Sequence, residues 1–152
     1  MRTAAGAAKE YDPLPDGTPW YSGGLRFQCQ RCSRCCRGAP GFVWVADAEI
    51  TRMAHHLALS TDEFASAYVR TLGPRLSLIE LPGGDCILWA GTERGCLVYP
   101  VRPIQCQTFP FWRLHLASPD AWNDLASSCP GANKGPMHSL NEIRNRLKDN
   151  PW

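Results

Sequence analysis

A loop of cysteines near the start of the chain constrains this sequence more than any other feature. Four of the eight positions from 29 to 36 are cysteine, namely Cys29, Cys32, Cys35 and Cys36. Thiols packed this tightly are bridged, bound to metal or chemically reactive, and each alternative leads to a different fold. Adjacent cysteines such as Cys35 and Cys36 cannot readily bridge one another, which disfavours a disulfide framework.

The composition is otherwise that of an ordinary globular protein. The 152 residues are 44% hydrophobic and 20% charged, which is typical of one domain that buries roughly two thirds of the surface of its unfolded chain. The net charge of +2 is too small to indicate a nucleic-acid partner. Eight cysteines among 152 residues are unusual, and any proposed function must account for them.

The compartment decides how clustered cysteines are interpreted. The chain begins with small residues followed by charge and proline, whereas a secretory signal needs an apolar stretch of about 7–15 residues. Apolar runs such as 41–46 are far shorter than the roughly 20 residues of a membrane span. We therefore expect a cytoplasmic protein without a membrane partner, in which reduced thiols serve metal or redox chemistry. Four disulfides in a protein exported by another route are the alternative.

Local patterns predict four short helices. Apolar residues at helical spacing indicate the first, and capping boxes, in which a serine and a glutamate three residues later pair with each other's backbone N–H groups, mark the start of two others. A proline in the first turn favours the fourth. The helices are expected from Asp47 to about Leu57, after Ser60, after Pro103 around Cys106, and after Ser139.

Short apolar runs bounded by turn residues predict strands at 42–45, 76–81, 86–89 and 96–99, the last three forming a β-hairpin region. The sequence thus predicts an α+β fold, a small irregular single domain with short helices, organised around cysteine metal sites. The expected layout is a loose N-terminal segment over 1–24, a cysteine-cluster metal-binding domain over 25–135, and a C-terminal helix over 136–152 that packs on the same domain.

The remaining cysteines lie where predicted strands start or where the chain turns. Cys86 and Cys96 each open a predicted strand, Cys106 lies on a predicted helix, and Cys129 precedes Pro130 in a turn. Short, rigid backbone at such positions can aim thiolates inward. Together with the cysteine loop they indicate metal binding, and eight thiolates suffice for two four-coordinate centres.

The spacing in the loop favours iron over zinc. Two residues separate Cys29 from Cys32 and Cys32 from Cys35, so one loop can wrap three sulfurs around one centre, as in bacterial ferredoxins. Those proteins add a cysteine followed by proline, which Cys129 resembles. Zinc sites of four cysteines more often pair two C-x2-C motifs. We expect iron as a [4Fe-4S] cluster, with mononuclear zinc or iron as the alternative. Cys36 is expected to point elsewhere, because neighbouring side chains diverge.

Charged and aromatic residues surround these cysteines. A tetrathiolate centre carries a charge of about −2, so nearby cations could compensate it; a solvated face and a nucleic-acid patch are the alternatives, of which the mild net charge disfavours the second. The aromatic residues of 99–103 and 109–112 are expected to pack in the core, and the four histidines are expected not to be ligands. The arginines in question are Arg26, Arg31, Arg34 and Arg37.

The order of these motifs resembles that of a known family. The segments FQCQRCSRCC, GDCILW, RGCLVYPVRPIQCQTFPFW and SSCPG follow one another from about Phe27 to Gly135. They resemble the YkgJ-type cysteine-cluster family, the zinc- or iron-chelating CxxCxxCC domain, which is related to flagellin lysine N-methylases. The chain departs from the family pattern at Gln107, where an arginine commonly follows the cysteine. The resemblance implies that eight metal ligands match family cysteines: Cys29, Cys32, Cys35, Cys36, Cys86, Cys96, Cys106 and Cys129.

The sequence favours a metal-binding protein that chelates iron or zinc through clustered thiolates. It contains no motif of a hydrolase or of a nucleotide-binding enzyme, and no glycine-rich loop that would hold S-adenosylmethionine, so no catalytic residue is assigned. The alternatives are an interaction module held together by structural zinc and the metal subunit of a protein-modifying system that resembles lysine methylation. The expected partner is a metal ion, and a protein partner is left open.

Metal and fold are expected to be coupled, because eight thiols lie in a chain with an irregular core. Treatment with a chelator should weaken the near-UV circular dichroism of the tryptophans and lower the thermal unfolding temperature. Metal-free protein that keeps its full melting temperature would contradict this prediction.

Overall fold

The computed structural model describes residues 17–38 and 40–152, so most of the N-terminal segment predicted to be loose lies outside the described residues. The predicted α+β class is confirmed, with short helices and two small antiparallel sheets. The strands are β1 (Leu25–Phe27), β2 (Trp44–Val45), β3 (Val69–Leu72), β4 (Arg75–Leu78) and β5 (Ala132–His138). The helices are α1 (Asp47–His56), α2 (Thr61–Tyr68), α3 (Ile104–Thr108), α4 (Arg113–Leu116), α5 (Pro119–Ser128) and α6 (Leu140–Asp149), with 3-10 helices at Arg34–Cys36 and Tyr99–Val101.

The chain divides into two compact units. Of the described residues, unit 1 contains Ser33–Gln107 and Trp152, and unit 2 contains residues 17–32 and Thr108–Pro151. The boundary between Cys32 and Ser33 therefore falls inside the cysteine loop. The domain layout that the sequence predicts, with boundaries at 25 and 136, stays a prediction.

Unit 1 contains a three-stranded antiparallel sheet with the strand order β2-β4-β3. Gly73, which has a positive φ of 59°, lies in the two-residue turn between β3 and β4, where such a backbone suits glycine. The strand β3 was not predicted, because Val69 follows helix α2 with no turn residue between them. Apolar residues of the sheet and helices form one core that includes Val43, Val45, Ile50, Met53, Phe64, Leu78, Leu88 and Val98.

The predicted helices are confirmed, because their signals are local. In α2 the Ser60 hydroxyl accepts a hydrogen bond from the Glu63 N–H at 3.2 Å, and the Glu63 carboxylate accepts one from the Ser60 N–H at 2.8 Å. Ser139 and Glu142 form the same capping box before α6. An N-cap of this kind contributes about 1 kcal/mol to helix stability. None of the helices in 17–38 and 40–152 is long and apolar enough to cross a membrane.

The hairpin region that the sequence predicts is much shorter in the structure. Residues 76–78 lie in β4 and pair with β2 and β3 on both edges, so only the following residues can pair with segment 86–89. They form a single bridge, between Glu80 and Cys86. Segment 96–99 likewise contributes one bridge, between Trp89 and Cys96.

Unit 2 is built on the pairing of β1 with β5 and on an aromatic core. Neither strand was predicted, since their antiparallel register joins residues more than a hundred positions apart, such as Leu25 and His138. Phe111 is fully buried and stacks on Trp122 with the ring centroids 5.9 Å apart. Trp112 is also buried, which confirms the expectation that segment 109–112 packs in the core.

His115 on α4 lies inside this aromatic core. Its ring stacks on Trp112 at 5.4 Å and meets Phe109 edge-on at 5.6 Å, and its Nε2 atom has no hydrogen-bond partner among the described residues. Burial lowers the pKa of His115 to about 4, because the protonated ring would lose its hydration there.

The stability of the protein should therefore fall on acidification. An unfolded histidine has a pKa of about 6.5, so between this value and about 4 the unfolded chain binds a proton that the folded chain does not. The free energy of unfolding should decrease as the pH falls through this window and level off below it. His115→Phe keeps the aromatic packing and removes the titrating nitrogen, and it should abolish up to about 3 kcal/mol of this dependence in denaturant titrations.

The exposed His55 provides the control. His55→Gln removes a histidine outside the aromatic core and should leave the contribution of His115 in place. If His115→Phe and wild type lost stability in parallel between pH 6.5 and 4, the buried histidine would not be its source.

Candidate metal centre

The thiols of Cys35 and Cys36 converge in unit 1. Both residues lie in the 3-10 helix Arg34–Cys36, and their Sγ atoms are 3.9 Å apart. The expectation that these neighbouring side chains would diverge was therefore wrong. The tight helical turn, in which the Cys36 N–H donates to the Ser33 carbonyl at 2.9 Å, lets both side chains point to the same side of the loop.

Three further cysteines of unit 1 join this pair. The Cys86 N–H donates to the carbonyl of Cys36 at 2.7 Å, which fixes the cysteine loop to the turn before segment 86–89. Cys86 is buried in the hydrophobic core of unit 1, and Cys36, Cys96 and Cys106 pack against the same core. Backbone from four separate parts of the chain thus delivers thiols to one apolar region.

The turn that carries Cys86 holds the end of the cysteine loop through carboxylates. The Gly38 N–H donates to Oδ1 of Asp85 at 3.1 Å, and the Gly41 N–H donates to Oε2 of Glu80 at 2.7 Å. Because both acceptors lie within six residues of Cys86, the loop and the turn are positioned as one piece.

The electrostatics of these thiols reflect their proximity and burial. The hydrogen bond with Cys36 is the main effect that lowers the pKa of Cys35, to about 6. The same bond, together with burial, raises the pKa of Cys36 far above its ordinary value. Burial also raises the pKa of Cys106, and the charges of Cys35, Cys86 and Cys96 add to this effect. The pocket disfavours several thiolates at once unless a cation is present.

One arginine contributes positive charge to this cluster. Arg102 lowers the pKa of both Cys35 and Cys106, although other effects are larger. Its guanidinium lies 4.2 Å from the centre of the Tyr99 ring and donates to the Tyr99 carbonyl at 2.9 Å. Of the loop arginines, Arg37 lies over the Trp89 ring at 4.2 Å. The hypothesis that the loop arginines compensate the charge of a centre stays a prediction.

Unit 2 contains the other three cysteines, Cys29, Cys32 and Cys129. The Gln28 N–H donates to the Gly131 carbonyl at 3.1 Å, so the pairing of β1 with β5 brings the start of the loop beside the turn that contains Cys129. The Arg31 N–H donates to Sγ of Cys29 at 3.4 Å, and Arg31 has a left-handed backbone with a φ of 52°. Cys29 and Cys32 are exposed and Cys129 is partly buried.

All eight cysteines are thiols, and none forms a disulfide. No three histidine, cysteine, aspartate or glutamate side chains among the described residues are grouped closely enough to hold a metal ion as they stand. The donors of unit 1 nevertheless fit zinc or iron in kind, since they are thiols in a partly dry pocket whose mutual repulsion a divalent cation would offset. The histidines stay outside this set, with His55 and His56 exposed and His115 in the aromatic core.

The sequence did not predict two buried polar residues that bind the backbone near Cys106. Glu49 and Gln105 are 5% and 2% exposed. Glu49 could have been noticed as the third residue of α1, where a glutamate often completes a capping motif. Nothing local marks Gln105, because its partners lie some sixty residues earlier in the sequence.

The comparison with known protein families agrees with the cysteine pattern. Residues 28–130 match the CxxCxxCC family model, described as "Putative zinc- or iron-chelating domain". The chain belongs to the CxxCxxCC family. The match begins one residue before Cys29 and ends one residue after Cys129, so the CxxCxxCC domain includes all eight cysteines. The family description supports a metal-binding role for the chain.

One relative of this CxxCxxCC domain is an uncharacterized protein of Methanocaldococcus jannaschii. It is 30% identical over 91 residues, which make up 60% of this chain and 48% of that protein. The aligned part thus spans about half the length of the relative. No solved structure matches the chain.

The close approach of the two segments in unit 2 can be tested at Gly131. A Cβ atom at this position would lie 2.3 Å from the Gln28 carbonyl oxygen, so the backbone would have to move. Gly131→Ala should destabilise the protein by about 1–3 kcal/mol in denaturant unfolding. It should also separate the loop of Cys29 from the turn of Cys129.

Gly23→Ala is the matched control, because a Cβ atom there would meet nothing within 4 Å. It should leave stability within about 0.5 kcal/mol of wild type. Equal stability of the two alanine variants would contradict the packing described at Gly131.

Proposed function

We propose that the protein chelates zinc or iron through thiolates, with a mononuclear centre in unit 1 held by Cys35, Cys36, Cys86 and Cys106. The observation that carries this proposal is the 3.9 Å separation of the Cys35 and Cys36 sulfurs. Both sulfurs belong to a group of thiols that influence one another's pKa. Cys96 and the unit 2 cysteines Cys29, Cys32 and Cys129 complete the proposed ligand set.

The separation of the two sulfurs matches the geometry of a single tetrahedral ion. A metal–sulfur distance of about 2.3 Å places two sulfurs of a tetrahedron about 3.8 Å apart. In a [4Fe-4S] cluster each cysteine binds a different iron, which keeps the sulfurs further apart. The geometry of the pair in unit 1 therefore favours one ion over a cluster.

The surroundings favour a bound cation over isolated thiols. Cys86 is buried and Cys36 and Cys106 pack against the core, where unpaired thiolates are costly. A bound divalent ion supplies the positive charge that lets several thiolates lie together there. Arg102 adds a positive charge from the protein itself.

A second candidate is an iron–sulfur cluster, which the C-x2-C-x2-C spacing of Cys29, Cys32 and Cys35 favours. Its signature differs from that of a single ion, because cluster protein is brown, absorbs broadly across the violet and blue, and bleaches with dithionite.

Metal content measured in protein produced and purified without oxygen tests the proposal. We expect wild type to contain at least one zinc or iron per chain, and Cys106→Ser to lose about one equivalent, because Cys106 is a proposed ligand of the centre in unit 1. A colourless preparation with stoichiometric zinc supports the mononuclear centre, and a brown one that dithionite bleaches supports the cluster.

Gln107→Ser changes the exposed neighbour of Cys106 on α3 and is the control, for which we expect the metal content of wild type. Wild-type protein without zinc or iron would overturn the proposal of chelation. Cys106→Ser with an unchanged metal-to-protein ratio would overturn the assignment of this ligand.

A further inference from the structure

Gln105 completes the edge of the sheet in unit 1. Strand β2 pairs with β4 on one edge only, and on its other side the Gln105 amide takes the place of a neighbouring strand. The Trp44 N–H donates to Oε1 of Gln105 at 2.8 Å, and Nε2 of Gln105 donates to the Phe42 carbonyl at 2.9 Å. Because this side chain is 2% exposed, it satisfies backbone groups that water reaches poorly.

Glu49 joins the starts of two helices. Its Oε2 atom accepts from the Ala46 N–H at 2.8 Å, which caps α1, and its Oε1 atom accepts from the Ile104 N–H at 2.7 Å, at the start of α3. Glu49 is 5% exposed, and the guanidinium of Arg52 lies 4.0 Å from Oε1. One carboxylate thus fixes α3 to α1 by a charge-assisted hydrogen bond.

Both anchors act on the residues that immediately precede Cys106. Helix α3 has five residues, too few to form a stable helix by itself, so its position depends on tertiary contacts. Ile104 is held by Glu49, and Gln105 is held by the edge of β2. The next residue is Cys106, whose side chain packs against the core beside the other thiols of unit 1.

We propose that Glu49 and Gln105 are positioning residues that aim the Cys106 thiol at the other cysteines of unit 1 and so set the metal affinity of the centre. This inference rests on the proposed function, since it takes Cys106 as a ligand. The two side chains correspond to the hydrogen-bonded outer shell that orients ligands in metal sites, and loss of such a partner typically weakens metal binding 10–100-fold.

The chemistry of each anchor is specific. The amide offers both the acceptor that the Trp44 N–H needs and the donor that the Phe42 carbonyl needs. Gln105→Glu keeps the acceptor and loses the donor when it is ionised, while Gln105→Leu loses both at every pH. At Glu49, two N–H groups donate to two carboxylate oxygens, so Glu49→Gln would place an NH2 group against one N–H donor.

The test measures binding of Co²⁺ to the full-length apo-protein by optical titration in the absence of oxygen. A thiolate-rich tetrahedral site gives sulfur-to-cobalt charge-transfer bands and intense d–d bands, and the d–d envelope reports the coordination geometry. We expect Gln105→Leu to weaken Co²⁺ binding 10–100-fold and to alter the d–d bands, with smaller changes for Gln105→Glu and Glu49→Gln. Circular dichroism of each apo-variant identifies those that fold. If Gln105→Leu does not fold, the Co²⁺ titrations of Gln105→Glu and Glu49→Gln test the proposal.

Two controls separate positioning from general damage. Gln107→Leu makes the same substitution at an exposed glutamine of α3, where it removes the hydrogen bond from Nε2 to the Arg102 carbonyl at 2.7 Å and leaves the bonds of Gln105 with Trp44 and Phe42 in place. It should bind Co²⁺ as wild type does. In a Cys106→Ser background, Gln105→Leu and Gln105→Glu should have little further effect on affinity, because the residue that they position is no longer a thiol.

Each failure has its own signature. If wild type lacks the thiolate spectrum, or if Cys106→Ser binds Co²⁺ unchanged, the proposed function fails at this centre. If Cys106→Ser weakens binding while the folded Gln105 and Glu49 variants keep wild-type affinity and spectrum, the positioning role is overturned. It is also overturned if the Gln105 variants weaken binding equally with and without the Cys106 thiol.

Discussion

The close approach of the Cys35 and Cys36 thiols, of which Cys36 packs against the apolar core of unit 1, is the constraint on which the arrangement of the other cysteines in this unit depends. The hydrogen bond with Cys35 and burial raise the pKa of Cys36, and burial raises the pKa of Cys106. Repulsion between neighbouring thiolates adds to both shifts, because little water screens charge there. The thiols of Cys36 and Cys106 do not ionise there as they would in water. The short 3-10 helix, the Cys36–Cys86 hydrogen bond and the anchored helix α3 all serve to hold groups that would otherwise separate.

Membership of the CxxCxxCC family and the arrangement of the thiols both support a metal-binding role. The family match is a property of the sequence of residues 28–130, whereas the arrangement of the thiols depends on how distant segments fold together. Segments 86–89 and 96–99, each of which contributes to isolated β-bridges, show how folding positions cysteines that the family match includes. They are too short to be stable strands, but they bring Cys86 and Cys96 to the core of unit 1.

The sequence predicted those parts of the fold whose causes are local. The helices α1, α2 and α6 follow from apolar spacing and from the Ser60 and Ser139 capping boxes, and each lies where expected. The pairing of β1 with β5 depends on a register between distant residues that no local pattern encodes. The same holds for the site. The cysteines could be recognised from the sequence as candidate ligands. The convergence of Cys35 with Cys36 and the contacts of Gln105 arise only from backbone geometry and tertiary structure.

The division of the chain also governs the order in which it can fold. The long segment Ser33–Gln107 of unit 1 lies between the two described parts of unit 2 along the chain, so β1 leaves the ribosome long before its partner β5. Closing a loop of this length in an unfolded chain costs conformational entropy, and the cost falls once the inserted segment is compact. Synthesis from the N-terminus therefore favours folding of unit 1 first. Cys29 and Cys32 can take their final positions only after the turn that contains Cys129 has been synthesised.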